Sequence, residues 1–350
     1  MNRPAPEQLT QRQREVLRTI IQDYILSAEP VGSRSVARKY GFRLSPATIR
    51  NIMADLAELG YLAQPHTSAG RIPTDLGYRF YVDSLMDRRP LTRAEETMIE
   101  RRFRPVRGEV EDMMREATRL LSVLSRSVGV VLAPRVDQLV VKRMEFVHLS
   151  GERVLVILMT RSGQVHHKVV ILDEVISQEE LNKIARLLNG LAEGLALSEI
   201  RQLLVKKMAE EKATYDELLR RALKLGQKSL EGGPEGEIYI GGTANIMQQP
   251  EFADIEKMRS IFAAFEEKSK LVNILDQCLV EEGLIIIIGS ENLVRELQGL
   301  SLVTAPYWCG DDLLGTLGVI GPTRMEYNKI VPLVDFTAKL VSRHLAEGAP

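Results

Sequence analysis

Residues 45–74 read SPATIRNIMADLAELGYLAQPHTSAGRIPT, and this stretch decides the fold of the N-terminal region. Ser45 is of a type that caps helix N-termini, and Pro46 suits the first helical position, where its missing N–H leaves no hydrogen bond unmade. The apolar residues that follow form one stripe at helical spacing: Ile49, Ile52, Met53, Leu56 and Leu59. The stretch therefore begins with an amphipathic helix.

The second half of the stretch predicts a β-hairpin. After Gly60, YLAQ is typical of a strand, and Ile72 begins a possible return strand. Between them, PHTSAGR has hydroxyl and basic side chains suited to phosphate or minor-groove contact. We expect an exposed loop histidine rather than a metal ligand at position 66. The predicted contact residues of this wing are His66, Thr67, Ser68 and Arg71.

Two further helices are predicted upstream. Thr10-Gln11-Arg12-Gln13 has the form of a capping box, and an apolar face follows it, so a first helix begins here. A short second helix is predicted from Ser33, with Gly41 as a natural stop. The connection GFRLS is short and opens with glycine, as helix-turn-helix motifs require. The first 88 residues thus predict a winged helix-turn-helix domain.

The outward face of the third helix is suited to DNA. Its N-terminal half presents small or hydrogen-bonding side chains: Ala47, Thr48, Arg50 and Asn51. Arg can bond guanine bidentately, Asn can bond adenine, and Ala can touch a thymine methyl. Recognition helices place this part in the major groove, whereas an ordinary surface helix would more often have Lys and Glu there. The further residues predicted to contact DNA are Arg34, Ser35, Arg43 and Ser45.

The distribution of charge favours the same surface. Residues 1–89 hold 13 Lys and Arg against 9 Asp and Glu, a balance of +4; the remainder holds 33 against 38, a balance of −5. No acidic residue occurs between Glu29 and Asp55. A local basic stretch in a protein of net charge −1 indicates one polyanion-facing surface, although a solvated helix face would have such charges too.

Composition places the 350-residue chain among ordinary globular proteins, long enough for two or three domains. The longest apolar run, LIIIIG, is far shorter than the roughly 20 residues of a membrane helix. The N-terminus has no signal-peptide pattern, so we expect a cytoplasmic protein with no membrane partner. Cys278 and Cys309 have no metal-ligand spacing, and we expect two unrelated buried thiols.

The chain has no recognisable catalytic motif. Glycine patterns for phosphate or dinucleotide binding, a G-x-S-x-G elbow and a Cys/His signature are all lacking. His166 and His167 are adjacent, so in a strand they face opposite sides and cannot share a metal. Asp311 and Asp312 suit a turn better than an acid/base pair. We expect no enzyme activity, no cofactor and no metal.

The rest of the chain predicts an α+β architecture with an insertion. Residues 88–107 are charged and bounded by prolines, which suits a linker or an exposed connecting helix. Strands are predicted after a helix from about 109 and again towards the C-terminus, before a closing helix from Tyr327 to Leu345. The intervening residues, 176–283, are mostly helical. We therefore expect one sheet split between two distant segments.

Long strings of this sequence resemble the HrcA family of bacterial heat-inducible transcription repressors. The likeness rests on SPATIRNIMADLAELGYLAQPHTSAGRIPTDLGYRFYVDSL and continues through GGTANIMQQPEF, IGSEN and SLVTAPYW…LGVIGPTRMEY, so it covers nearly the whole chain. It implies a winged-helix domain at 1–88, a linker at 89–108, a GAF-like domain made of 109–175 and 284–350, and an inserted, mainly helical dimerisation domain with a small sheet at 176–283.

The resemblance also implies a function. A repressor of this family would bind, as a homodimer, an inverted-repeat operator in double-stranded DNA upstream of chaperone operons. A GroEL-type chaperonin would promote its DNA-competent fold. One alternative is a metabolite-responsive regulator, because GAF-like domains often hold small ligands. A second alternative is an enzyme with a DNA-binding appendage.

Overall fold

Three hydrophobic clusters organise the part of the chain that the computed structural model describes. One runs from the N-terminal helices to one face of a five-stranded sheet, the second lies on the other face of that sheet, and the third lies on a separate three-stranded sheet. The described residues are 9–39, 44–66, 69–87, 89–103, 110–133, 140–161, 165–192, 194–196, 199–200, 203, 217–230, 238–252, 254–279, 283–310 and 312–347.

The N-terminal residues form a winged helix-turn-helix, as predicted. Its elements are α1 (Gln11–Ser27), α2 (Ser33–Lys39), α3 (Pro46–Glu58), β1 (Leu62–Ala63) and β2 (Ile72–Pro73). The predicted capping box is present, because the Thr10 side chain accepts from the Gln13 N–H and the Gln13 side chain accepts from the Thr10 N–H at 3.0 Å. The apolar faces of α1 and α3 share one core, which includes Leu17, Ile20 and Ile49.

Further helices connect this module to the rest of the chain. They are α4 (Asp75–Phe80), which continues into a π-helical turn (Tyr81–Leu85), α5 (Arg93–Arg102) and α6 (Val110–Ser125). A capping box begins α5: the Thr92 side chain accepts from the Glu95 N–H, and the Glu95 carboxylate accepts from the Thr92 N–H at 2.7 Å. The charged segment predicted to be a linker or a connecting helix therefore contains a well-capped helix.

An antiparallel sheet of five strands lies at the centre of the molecule. Its strands are β3 (Val128–Leu132), β7 (Ile238–Gly241), β8 (Ile285–Ile288), β9 (Leu300–Cys309) and β10 (Asp312–Pro322), in the order β7-β3-β10-β9-β8. Successive side chains point to opposite faces, so Val130 and Leu132 join one cluster while Val131 joins the other.

Helices cover both faces of the central sheet. α6 and the C-terminal helix α12 (Tyr327–Glu347) pack on the face that also contacts the winged helix. The opposite face packs against α9 (Ala244–Met247), α10 (Ile255–Glu266) and α11 (Lys268–Gln277). Cys309 and Cys278 are buried in these two different clusters, as expected of unrelated thiols.

The smaller sheet has its own core. It consists of β4 (Val141–Ser150), β5 (Arg153–Thr160) and β6 (Val165–Ile171), in the order β4-β5-β6, and one face packs against α7 (Gln178–Ala192) and α8 (Glu217–Leu230). Every second residue of β5 is buried, which explains why Val154, Val156 and Leu158 join this core.

The expected sheet split between two distant segments is present, because β3 pairs with β10 and so lies in one sheet with β8 and β9. The strands between β3 and β8 differ from the expectation. Among the described strands, β4, β5 and β6 pair with one another, while β7 pairs with β3 from Gly129↔Gly241 to Leu132↔Ile238. The tight turn at Gly151 joins β4 and β5 as a hairpin, so these strands pair locally. The predicted sheet therefore exists, but it lacks β4–β6 and includes β7, and the predicted α+β multidomain class with an N-terminal winged helix is confirmed.

Candidate nucleic-acid interface

The third helix begins at a fully formed N-cap. Ser45 Oγ accepts a hydrogen bond from the Thr48 N–H at 3.1 Å and lies 3.0 Å from the Thr48 hydroxyl. Pro46 occupies the first turn of α3. Because the cap fixes where the helix starts, it also fixes which side chains of the first two turns face away from the core.

The first turns of α3 present a polar face to solvent. Ile49 and Met53 are buried on the inner side of the helix. The exposed residues on the outer side are Ala47, Thr48, Arg50 and Asn51. The N-terminus of a helix also attracts phosphate, since its first N–H groups lack partners within the helix and its dipole is positive there. This end of α3 can therefore approach DNA without any change in the core.

The basic residues of the second helix differ in their surroundings. Arg34 is exposed and Ser35 is half-buried. Lys39 instead forms an ion pair with Asp23 of α1, whose side chain is almost wholly buried, so it holds α2 against α1. Arg43 and the predicted helix stop at Gly41 lie outside the described residues. On α2, Arg34 is thus the predicted contact residue that faces solvent.

The wing hairpin is short, with Leu62 opposite Pro73 and Ala63 opposite Ile72. His66 is exposed, and its carbonyl accepts from the Ala69 N–H at 2.9 Å to close a turn. Thr67 and Ser68 lie outside the described residues. The described part of the hairpin therefore agrees with a polar loop beside α3.

Arg71 lies at the base of the wing rather than at its tip. Its backbone pairs with Val31, with hydrogen bonds of 2.9 Å in both directions, so the segment between α1 and α2 adds an extended residue to the wing. A Cβ at Gly70 would collide with the Val31 carbonyl, which explains the glycine there. The Arg71 side chain is half-buried, and its Nε has no hydrogen-bond partner among the described atoms. No local pattern around Val31 indicated this contact.

Neither a membrane-spanning helix nor a cluster of metal ligands is present among the described residues. No described helix has the length and apolar character needed to cross a membrane. No group of three or more described His, Cys, Asp or Glu residues could hold a metal ion.

Comparison with known proteins shows similarity over most of the chain. Residues 8–83 match the family model described as winged helix-turn-helix transcription repressor, HrcA DNA-binding, and residues 111–331 match that of the HrcA protein C-terminal domain. A crystal structure of a hypothetical protein superposes with a TM-score of 0.62 at 24% identity, covering 97% of this chain and all of that one, which supports the fold alone.

Curated relatives match over the same extent. The heat-inducible transcription repressor HrcA of Geobacter sulfurreducens is 48% identical over 340 residues, which is 97% of this chain and 99% of that protein. The protein of the same name from Syntrophobacter fumaroxidans is 45% identical, over 97% of this chain and 98% of that protein. The chain therefore belongs to the HrcA family of heat-inducible transcription repressors.

Proposed function

We propose that this repressor binds, as a homodimer, an inverted-repeat operator in double-stranded DNA upstream of chaperone operons. The supporting observation is the exposed polar face at the start of α3, where Arg50 and Asn51 can reach base edges. Arg34, Ala47 and Thr48 are exposed around them and would add phosphate and methyl contacts. Action on chromosomal DNA would place the protein in the cytoplasm.

The proposed dimer follows from how little DNA one winged helix can read. A single recognition helix contacts only a few base pairs, and phosphate contacts add mainly non-specific affinity. Two copies related by a two-fold axis would read an inverted repeat, because the symmetry of the protein is mirrored in its site. Joining the two modules makes the second binding event intramolecular, which adds about 10²–10⁴-fold in avidity.

The outer face of the three-stranded sheet is the surface that we propose for the dimer. Buried residues of α7 and α8, among them Leu181, Leu188 and Leu223, already pack on its inner face, so these side chains are not available to a partner. The outer face has an apolar cross-strand row, Val147, Leu155 and Val169, that runs over β4, β5 and β6, and beside it lies the ion pair of Arg143 with Glu145. Its exposed apolar side chains are Val147, Leu149, Val165, Val169 and Ile171. An apolar patch of this kind marks an interaction surface.

This surface also suggests how the domains divide. The dimerisation unit would consist of β4–β6 with α7 and α8, rather than of residues 176–283 alone. Residues 238–279 would belong with the central sheet, because β7 is one of its strands and α9, α10 and α11 pack on it. The remaining boundaries, a winged helix at 1–88 and a linker at 89–108, stay as predicted.

Assistance by a GroEL-type chaperonin would suit the topology of the central sheet. β3 pairs with β10 from Leu132↔Thr316 to Val128↔Ile320, so strands far apart in the sequence must meet before this core closes. Sheets built from such distant pairs fold slowly and expose apolar surface while they do so. A chaperonin that captures apolar surface would thus raise the fraction of chains that reach the DNA-binding fold.

The cavity between α11 and the central sheet does not favour a small-molecule effector. The cavity between α11 and the central sheet, lined by Leu271, Leu297 and Leu302 among others, has a volume of about 10 Å³. That is room for about one water molecule, and the lining is almost entirely apolar.

The proposal is tested by selecting binding sites from random DNA with the purified full-length chain. The selected sequences should contain two copies of one short motif in inverted orientation. Gel shifts on such a site, with and without GroEL-type chaperonin, would then measure assistance. Selection of a single unrepeated motif would contradict reading by a symmetric dimer.

A further inference from the structure

Arg324 joins the winged helix to the rest of the molecule. It lies between β10 and α12, and its Nη1 donates to the Ile25 carbonyl at the C-terminal end of α1 at 3.0 Å. Its Nη2 donates to Gln249 Oε1 at 3.0 Å, and its guanidinium forms an ion pair with Glu251. The Arg324 side chain is only 15% exposed, so one partly desolvated guanidinium holds three segments of the chain together.

A second arginine makes an equivalent connection through α4. Arg79 of α4 pairs bidentately with Glu291, with Nε donating to Oε1 at 2.8 Å, and its Nη2 donates to the Ile286 carbonyl at 2.5 Å. One turn earlier, the Asp75 carboxylate accepts from the Ser290 N–H at 2.8 Å. Gly289 makes this approach possible, because it has φ 51° and a Cβ there would collide with that carboxylate.

Apolar packing fills the space around these polar contacts. The Tyr78 ring of α4 lies 6.3 Å from the Tyr327 ring at the start of α12, centroid to centroid, and both side chains are buried. Burial raises the pKa of both hydroxyls, so both rings stay neutral at physiological pH. The same cluster includes Leu17 of α1 and Val341 of α12, so one core spans both parts of the molecule.

Three sequence motifs outside the winged helix meet at this junction. The string QQPEF at 248–252 supplies Gln249 and Glu251, IGSEN at 288–292 supplies the partners of α4, and GPTRMEY at 321–327 supplies Arg324. We define the interdomain junction as the contacts of Arg79 and Asp75 with residues 286–291 and those of Arg324 with Ile25, Gln249 and Glu251. The polar face of α3 stays exposed while the junction is formed, so the junction does not cover the DNA-binding surface.

We propose that the interdomain junction fixes the distance and angle between the two winged helices of the dimer, and that it thereby determines which spacing of operator half-sites the repressor accepts. Arg79 and Arg324 act as positioning residues for specificity without touching DNA. The proposal rests on paired reading of an inverted repeat, as proposed above.

The physical reason is the difference between a rigid and a flexible connection. A module held in one orientation binds a second half-site with high effective concentration only if that site lies where the module points, whereas a loosely tethered module tolerates many spacings. DNA turns once in 10–10.5 base pairs. An insertion of about 5 base pairs therefore rotates one half-site by about half a turn and tests this rigidity.

The test compares the wild type with Arg324→Gln and Arg79→Gln on three DNAs: one half-site, the inverted repeat at its selected spacing, and the same repeat with about 5 base pairs inserted. We expect the wild type to lose at least about tenfold in affinity on the insertion. For each variant, the insertion should lower the affinity by less than about threefold, because the variant already binds the selected repeat more weakly than the wild type does. The affinity of each variant for the half-site should equal that of the wild type.

Arg343→Gln is the matched control. Arg343 pairs with Glu100 at 3.2 Å between α12 and α5, away from the junction, and its removal should leave the spacing preference unchanged. Exchange of charges in Arg79→Glu with Glu291→Arg should restore part of the preference that Arg79→Gln loses. Circular dichroism and thermal unfolding would establish that each variant is folded before any binding experiment.

A distance measurement makes the junction testable without DNA. Spin labels at Asp55→Cys on α3 and Lys339→Cys on α12, in doubly labelled chains diluted into an excess of unlabelled chains, should give one narrow intrachain distance in the wild-type background and a broader distribution with Arg324→Gln. Both native cysteines are buried and away from these exposed positions. A narrow distribution in both backgrounds, or folded variants that keep the wild-type spacing preference, would overturn the proposal.

Failure of the underlying function would look different. A wild type that binds the repeat no better than the half-site would overturn paired reading, and with it the role of the junction in spacing. In that case, the distance distributions would still show whether the two arginines hold the winged helix in place.

Discussion

At the residue scale, the most specific prediction concerns Arg50 and Asn51, because both are exposed in the first turns of a capped helix and can reach DNA bases. Replacing either with Ala should reduce the discrimination between operator and random DNA by about 1–3 kcal/mol at one position. Competition binding at constant salt measures this ratio. Arg38→Ala is the control, since Arg38 is an exposed cation of α2 without a predicted base contact. Two variants with the wild-type ratio would mean that α3 meets DNA in another orientation.

Arg71 should behave as a positioning contact. Arg71→Ala is expected to weaken binding to every DNA sequence and to lower the salt dependence by about one counterion, because a phosphate contact has no sequence information. Titrations at several salt concentrations measure the slope. Arg71 is half-buried at the base of the wing, so its removal could also lower stability. The thermal unfolding midpoint of the Arg71→Ala protein must therefore be compared with that of the Arg71→Lys protein. A selective loss of operator binding would show that Arg71 reads bases instead.

Residues with strong local signals were predictable and residues with distant partners were not. The N-caps at Thr10 and Ser45 follow from four consecutive residues, and the structure has both. Lys39 counted as one more cation of the basic stretch, yet it pairs with Asp23, sixteen residues earlier. The contact of Val31 with Arg71 likewise depends on how α1 and the wing pack, which no spacing rule contains.

At the element scale, the same distinction separates strands from sheets. Local sequence predicted the strand around Val154, because a run of strand-forming residues between turns favours a strand whichever sheet it joins. It could not say that β7 lies beside β3, because that pairing depends on tertiary packing across more than a hundred residues. The resemblance implied a mainly helical dimerisation domain at 176–283, which stays a prediction; in the structure, buried residues of α7 and α8 pack on the small sheet and form its core.

The outer face of β4–β6 should be sensitive to charge. Val169→Glu is expected to raise the dissociation constant of the dimer by at least about tenfold, because an unpaired carboxylate would be buried in each copy at a cost of about 1–3 kcal/mol or more. Analytical ultracentrifugation measures this constant. Met98→Glu, on the exposed side of α5, is the matched control and should leave the dimer intact. A folded Val169→Glu protein that stayed fully dimeric would place the interface elsewhere.

At the scale of the whole molecule, the topology of the central sheet predicts how chaperonin acts. GroEL-type chaperonin should raise the fraction of chains able to bind operator without changing the affinity of those chains, because it assists folding and not recognition. Titration of the protein into excess operator counts active chains, and titration at low concentration measures affinity. A constant active fraction together with tighter binding would point to a direct effect on the DNA-binding state instead.

The winged helices, the apolar sheet face and the interdomain junction all concern the same complex, two copies of the chain on one inverted repeat. Fluorescence anisotropy with the full repeat and with one half-site, at one salt concentration, measures both stoichiometry and affinity of that complex. We predict two chains per full repeat and binding at least about a hundredfold tighter than to the half-site. One chain per duplex, or equal affinity for the two DNAs, would contradict recognition of the operator by a symmetric dimer.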